Sequence, residues 1–390
     1  MTTEHVQRPG EEGAEQVEAA SLSQWQLIRR RLTRHKLAVA SSYVLVLLYV
    51  LAAFAEFFAP YPALWKNLDY SYSPPQLVRF SFSEGLYVNA LNRHVDPITY
   101  RRAYVEDEDT TYSLSFFVKG EPYKLWGVFP CDRHLIGIDR KAFVDGDDMD
   151  AAGESVLEPV FYLLGADKYG RDICSRMIYG ARISLSVGII AIAATFIFGI
   201  VIGVISGYVG GATDNFIQRS IEIINAFPKL PLWLALGAAV PPEWSPLRTY
   251  FAITLVLSLV GWTGLARVVR GKMLSLREED YALAARLAGA GHGRIMFRHL
   301  LPGFTSHIIV SLTLTVPYMI LGETALSFLG LGLRHPVVSW GVMLQDCMNM
   351  QVIGNYPWLL QPIVFFVLTI LCFNFLGDGL RDAADPYAAR

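Results

Sequence analysis

Residues Arg277–Pro302 read REEDYALAARLAGAGHGRIMFRHLLP, a polar and basic island between two hydrophobic runs. The pattern predicts a short helix over Glu279–Ala288, a glycine turn at Gly289, Gly291 and Gly293, and a second helix ended by Pro302. Glycine just past a helix supplies the positive φ that stops it without steric cost. Ala282, Ala284, Ala285 and Ala288 crowd one side of the first helix, and small residues let a helix lie close against a partner surface. The plainer alternative is a solvated loop that merely joins two membrane helices, as many charge runs do. The residue types alone leave both readings open.

The surrounding chain is that of an integral membrane protein. Of 390 residues, 53% are hydrophobic and only 17% charged, which leaves room for a modest extramembrane part. The net charge of −2 says little, because the charges are segregated. Residues 1–24 are Glu-rich and poor in apolar residues, and are expected to be disordered. A basic segment with Arg29, Arg30, Arg31, Arg34 and Lys36 precedes an uncharged run, Leu37–Ala55, long enough to span a bilayer. Ala53-Phe54-Ala55 has the look of a signal-peptidase site, but the run is too long and its preceding segment too extended for a signal peptide. The basic cluster places the N-terminus in the cytoplasm.

Further spans are expected at Ile183–Val209, Ile217–Val240, Thr249–Ala266, Gly303–Leu321 and Tyr356–Gly377, six in all, which returns the C-terminus to the cytoplasm. The third is the weakest, holding Arg219, Glu222 and Lys229 with Pro228 and Pro231. Arg219 and Glu222 are spaced to pair on a helix. Between Arg267 and Arg298 there are seven Lys/Arg against three Asp/Glu, again the cytoplasmic sign. Gly199, Gly203 and Gly207 recur at four-residue spacing, a signature of close helix packing within this subunit or against a partner.

Residues 59–165 are polar and aromatic, with acidic clusters at Glu106–Asp109 and Asp145–Asp150. Alternating pieces at Tyr112–Val118 and Lys124–Phe129 predict short strands in a small insert on the far side of the membrane. That insert reads either as decoration or as a contact surface for another protein. Cys131, Cys174, Cys347 and Cys372 have neither zinc nor redox spacing, and a Cys131–Cys174 disulfide stays open. Gly165 to Asp172 imitates a P-loop, but the phosphate lysine and magnesium-binding hydroxyl are missing.

Three separated segments carry a family resemblance. Ala284-Ala285, Gly289 and His299-Leu300-Leu301-Pro302 resemble the EAA loop of importer-type ABC permeases, although Leu283 stands where that motif opens with Glu. Gly165–Asp172 with Ser175–Leu185 is similar to a segment of the peptide/nickel branch, with Ala166 for the usual Thr; it reads as a turn leading into an interfacial helix with arginines at head-group level. Gly322–Gly332, with Trp340 and Gly341, resembles a third signature of that branch and reads as a short re-entrant or interfacial helix. The tail Gly377–Pro386 is similar as well. The resemblance covers residues 25–60 loosely and 160–386 closely, leaving the insert outside.

The resemblance implies an all-α polytopic fold, six transmembrane helices of the type I ABC importer kind, with an extracytoplasmic β-containing insert between helices 1 and 2. The chain then divides into a tail (1–24), a basic segment with helix 1 (25–58), the insert (59–165) and a permease core (166–386) holding the coupling loop 277–302. It further implies a permease in the inner membrane of a prokaryote, working with a second permease, two ATP-binding subunits and an extracytoplasmic substrate-binding protein. Membrane lipid is its surroundings and nucleic acid has no part. The chain itself would be no enzyme and hold no cofactor, with ATP and magnesium on the partner subunits. The residues expected to couple to the ATPase are Asp280, Tyr281, Ala284, Ala285, Arg286, Gly289, Ala290 and Arg294, and those at an outer gate are Glu323, Ser327, Gly330 and Trp340. Arg286 and Arg294 read either as partners of acidic groups on the ATPase or as solvated charges, and Glu323 either as a functional acid or as a helix cap. Short peptides are the expected cargo, with nickel chelates, oligosaccharides or opines as alternatives. A self-contained secondary transporter would need ionisable groups near the midplane in repeated halves, which the uncharged spans do not offer. A membrane enzyme would need a nucleophile–base pair or metal cluster, and the scattered histidines provide none.

Overall fold

The computed structural model describes residues 24–82, 85–95, 97–98, 102–138 and 158–384. The expected disordered tail (but for residue 24) and the acidic run Asp145–Asp150 lie outside these residues. Five helical stretches are long and apolar enough to cross a membrane: Lys36–Ala53, Ile173–Val209, Pro246–Leu276, His292–Phe328 and Pro357–Ala384.

In chain order, α1 (Gln24–Arg34) leads into α2 (Lys36–Ala53) and the single turn α3 (Ala55–Phe58). Four antiparallel strands follow, β1 (Arg79–Ser81), β2 (Gly85–Val95), β3 (Arg102–Leu125) and β4 (Phe129–Ile138), in the order β1-β2-β3-β4. The expected short strands are in fact joined. Tyr112–Val118 lies inside the 24-residue β3, which pairs with β2 over its first half and with β4 over its second. Lys124–Phe129 comprises the last two residues of β3, the turn at 126–128 and the first residue of β4. Bulges opposite Asn89/Ala90 and at Lys119/Tyr123 let so long a strand bend while keeping its ladder.

The core begins with α4 (Ile173–Val209), 37 residues or roughly 55 Å of helix. Asp172 caps it, accepting from the amides of Cys174 and Ser175. The expected interfacial helix and the second span are therefore one element. Two of the segment's three arginines do not lie at a surface: Arg171 and Arg176 are buried and both donate to Asp167, while Arg182 stays partly exposed. Sequence reading missed this because Asp167 sits in the preceding turn, where nothing local announces two guanidinium partners.

The expected third span is two helices, α5 (Gly211–Ala226) and α6 (Lys229–Ala238). Phe227 and Pro228 between them are extended, with ψ of 134° and 131°. Proline removes an N–H and disfavours helical backbone at the residue before it, so the helix breaks rather than kinks. Arg219 and Glu222 do pair, at 2.7 Å and exposed. Next come α7 (Pro246–Leu276) and α8 (Asp280–Leu287). The following α9 (His292–Arg294) continues through a π turn (Ile295–Leu300) and a 3-10 turn (Leu301–Phe304) into α10 (Thr305–Phe328). Pro302 thus does not end the second helix. It lies in the first turn of a 3-10 segment, where the missing N–H is tolerated. Short helices α11 (Trp340–Gln345) and α12 (Met350–Asn355) precede α13 (Gln361–Ala384).

The glycine stripe packs within the chain. A Cβ on Gly199 would lie 2.8 Å from Leu265 Cβ, one on Gly203 2.6 Å from the Ala266 carbonyl oxygen, and one on Gly207 2.7 Å from that of Arg270. All three contacts are with α7. Gly237 of α6 lies against Leu331, just past the end of α10, and Gly379 near the end of α13 lies against Ala38 at the start of α2. All four cysteines are free, so no Cys131–Cys174 disulfide forms.

Gly203→Leu forces α4 off the α7 backbone, and overpacking of this kind costs about 1–3 kcal/mol. The expected outcome is a lower thermal unfolding midpoint for the purified full chain in detergent. Gly264→Ala, whose added carbon meets nothing within 4 Å, leaves the midpoint unchanged or raises it.

Candidate functional site

The loop after α7 is built as its sequence implies at one point and differently at another. Gly289 has φ +82° and closes α8. The Gly289 amide donates to the Arg286 carbonyl and the Ala290 amide to the Ala285 carbonyl, both at 3.0 Å. That crossed pair satisfies carbonyls the helix end would leave orphaned. The alanines, however, do not share one outward face. Ala282 is buried, and Ala285 and Ala290 pack on a core of Val204, Tyr208, Val269, Met273 and Phe304. What α8 turns outward is Tyr281, Leu283, Ala284 and Leu287, the last 81% exposed, flanked by exposed Asp280, Arg286 and Gly289. Arg294 is also exposed, one turn further on. Ala282 and Ala285 therefore seat α8 on its own chain, while Ala284 and Ala288 share the free face with larger apolar residues.

The loop's base is fastened to the end of α4. Tyr208 Oη and His292 Nδ1 are 3.0 Å apart, and Arg277 Nη1 donates to the Gly207 carbonyl. Beside them Arg270 donates to both oxygens of Asp214, at 2.6 and 2.5 Å. Ser206 Oγ donates to Asp214 Oδ1 at 2.5 Å and accepts from Gln218 Nε2 at 3.0 Å. The paired Arg270 guanidinium holds the Asp214 carboxyl below the usual aspartate range. Sequence reading did not single out Tyr208, Asp214 or Arg270. Their partners are 84, 56 and 56 residues away, and no local pattern encodes such pairs.

The second group of expected residues does converge. Glu323 is fully buried and accepts from Ser327 Oγ at 2.8 Å and from Ser184 Oγ of α4 at 3.0 Å. Ser184 Oγ in turn accepts from the Trp340 amide, and the Trp340 indole donates to the Met177 carbonyl. Ser327 Oγ accepts from the Leu333 amide. Glu323 and Ser327 belong to the last turns of the 24-residue α10, so the expected separate re-entrant helix is absent there. Glu323 is no helix cap either, being inside the element. Gly330, at φ +75°, turns the chain out of α10, with the Leu331 amide donating to the Leu326 carbonyl. Together these residues make a buried polar knot that ties α4, α10 and α11.

Comparison with known proteins agrees with this architecture. Residues 199–390 match the family described as binding-protein-dependent transport system inner membrane component, and residues 23–75 the N-terminal transmembrane domain of oligopeptide transport permease C. The dipeptide transport system permease protein DppC of Bacillus subtilis is 42% identical over 58% of this chain and 69% of its own length. The oligopeptide permease protein OppC of the same organism is 40% identical over 57% of this chain and 70% of its own. OppC of Escherichia coli K12 is 40% identical over 58% and 72%. The chain belongs to the family of permease subunits of peptide ABC importers, multi-pass proteins of the inner membrane. The stretch between the two family matches, residues 76–198, holds the whole β-sheet.

Two outcomes follow from this geometry. Glu323→Ala strips Ser184 and Ser327 of their buried acceptor, and an unsatisfied buried polar group costs about 1–3 kcal/mol. The unfolding midpoint should fall clearly, and less for Glu323→Gln, which keeps one acceptor oxygen. For Asp214, a carboxyl whose folded pKa is depressed contributes stability above its unfolded value, and loses it as pH falls through the folded one. Asp214→Asn is therefore less stable than wild type at neutral pH, and the gap in midpoint narrows as the solution is acidified below the ordinary aspartate value of 3.8.

Proposed function

We propose that this chain forms half of the translocation pathway of an ATP-driven importer of short peptides, with a second, homologous permease as the other half. Membership of the peptide permease family supports the cargo class. Six crossings are inferred: the five long stretches, and a third crossing made from about residue 217 onward by α5 and α6 in series. The position of Gly237 beside Leu331, far from the α4 end that α5 leaves, supports that crossing. The termini are placed in the cytoplasm, in keeping with the basic α1 and with the contact of Gly379 on Ala38. The β-sheet then lies outside, where a binding protein delivers substrate.

The observation that carries the mechanism is the free apolar face of α8. Tyr281, Leu283 and Leu287 are exposed in a loop otherwise rich in charge, and such a face fits a groove on another protein. We assign it to one of two ATP-binding subunits, with Asp280, Ala284, Arg286, Gly289 and Arg294 at its edge and Ala285 and Ala290 as its seat. ATP and magnesium are held by those partners, and this chain carries no catalytic group. When the ATPase dimer closes, the docked α8 moves as a rigid body. The Tyr208–His292 and Arg277–Gly207 contacts pass that motion to α4, and through it to the Glu323 knot at the outer end. A two-state bundle biased from a distant site needs such a continuous rigid path.

Leu283→Asp with Leu287→Asp, expressed with the neighbouring genes, should lose the ATP-binding subunits on purification while keeping the second permease. Retention of the ATPases would put the docking site elsewhere. Solute uptake into liposomes by the chain alone, without ATP, would replace the importer with a secondary transporter.

A further inference from the structure

The β3–β4 hairpin lies in the stretch that neither family match covers. Its turn is Trp126-Gly127, with φ of +52° and +74°, closed by the Val128 amide donating to the Leu125 carbonyl at 3.1 Å. Glycine adopts that conformation freely, but for a bulky aromatic it is a true outlier, so the surroundings must hold Trp126 in place. They do so through α2. The indole Nε1 donates at 2.7 Å to the carbonyl of Ala53, the last residue of α2, and the ring lies 5.4 Å from that of Phe54. Arg182 donates to the Ala52 and Ala53 carbonyls from the other side and pairs with Glu56 at 2.6 Å. The hairpin tip is thus fixed to the end of a membrane helix.

The tip is apolar and uncovered. Trp126 is 54% exposed, Val128 70% and Phe129 56%, and Leu125–Phe129 holds no charge. Along α2 the exposed apolar side chains include Tyr43, Leu47, Val50 and Phe54, spaced by four, three and four residues and so on one stripe. Phe54, the last of them, touches Trp126. One continuous apolar strip therefore runs up α2 and onto the hairpin. Where α2 meets hydrocarbon, the strip's continuation meets the head-group layer. Tryptophan is enriched at that depth because its ring is apolar and its N–H polar. Exposed Lys124 stands just behind the tip, where its stem can follow the apolar surface and its ammonium reach lipid phosphate.

We propose that the hairpin tip Trp126–Phe129 inserts into the outer head-group layer beside α2, anchoring the β-sheet to the lipid surface. The inference rests on α2 being a membrane span with Ala53 at its outer end. The second permease is the competing occupant of the same face.

The test uses the full chain, purified with its co-expressed partners and reconstituted in vesicles of phosphatidylethanolamine and phosphatidylglycerol. A polarity-sensitive fluorophore is placed at Val128→Cys in a Cys131→Ser background, with Glu108→Cys, exposed at the bulge in the first half of β3, as the aqueous control. Leu47→Cys serves as the reference for α2. The Val128 probe should be blue-shifted, shielded from iodide, and quenched about twofold more than the Glu108 probe by lipid spin-labelled near the head group, as interfacial placement demands. Lipid quenching at Leu47 with only iodide quenching at Val128 would overturn the anchor while leaving the span intact. Shielding from both quenchers at Val128, with cross-linking to the second permease, would assign the tip to a protein and equally defeat the lipid reading. Absence of lipid quenching at Leu47 would remove the span and the anchor together.

Discussion

The rest of the bundle depends on how closely α4 approaches α7. Gly199, Gly203 and Gly207 put bare backbone against Leu265, Ala266, Val269 and Arg270, with no room for a single added carbon. In a lipid solvent two helices gain nothing from burying apolar surface that lipid would also cover. Close van der Waals contact over small residues is what holds them. Because the contact runs to the last turn of α4, it fixes the register of everything beyond. Arg270 meets Asp214, Arg277 meets the Gly207 carbonyl, and Tyr208 meets His292 only in that register.

The same two helices serve different solvents at their two ends. Toward the loop, the polar contacts are charge-assisted and tie α4, α5 and α7 into a base on which α8 rests. Toward the other end, α4 contributes Ser184 to the Glu323 knot and Arg176 to the Asp167 pair, both out of contact with water. A buried carboxylate is costly unless its lone pairs are used, and Glu323 has hydroxyls from two helices converging on it. Such knots add a directional constraint to that close packing, because each hydroxyl must meet its acceptor. A rigid element with a polar fastening at each end is a sound means of carrying motion across a membrane.

The β-sheet obeys another logic. It is joined to the bundle through aromatic contacts and main-chain carbonyls at the end of α2, and through Tyr61, Tyr70 and Tyr162 packed beneath it. The anchoring residues Ala53, Phe54, Tyr61 and Tyr70 fall within the N-terminal family match, residues 23–75, whereas the sheet they hold lies outside both matches.

Much of this was legible in the sequence, for a physical reason. A bilayer imposes a local rule, about twenty apolar residues per crossing, and helix ends obey local rules of glycine and capping. The long apolar stretches, the Gly289 turn and the small-residue stripe could be read from neighbouring residues, whereas the grouping of Glu323, Ser327 and Trp340 rested on the family resemblance. The broken crossing at Pro228 was visible as a proline but not as a break, since proline within a membrane helix is satisfied or not by its neighbours. The outward face of α8 was misread because alanine is equally at home against a partner or against its own core. The Asp214–Arg270 pair, the Tyr208–His292 contact and the sharing of Asp167 by two arginines join residues that are not neighbours along a helix face. Sequence determined which segments are helices in lipid and where they turn. The tertiary structure alone decided which polar groups meet, because the cost of leaving a buried charge unpaired is settled only when distant helices arrive beside it.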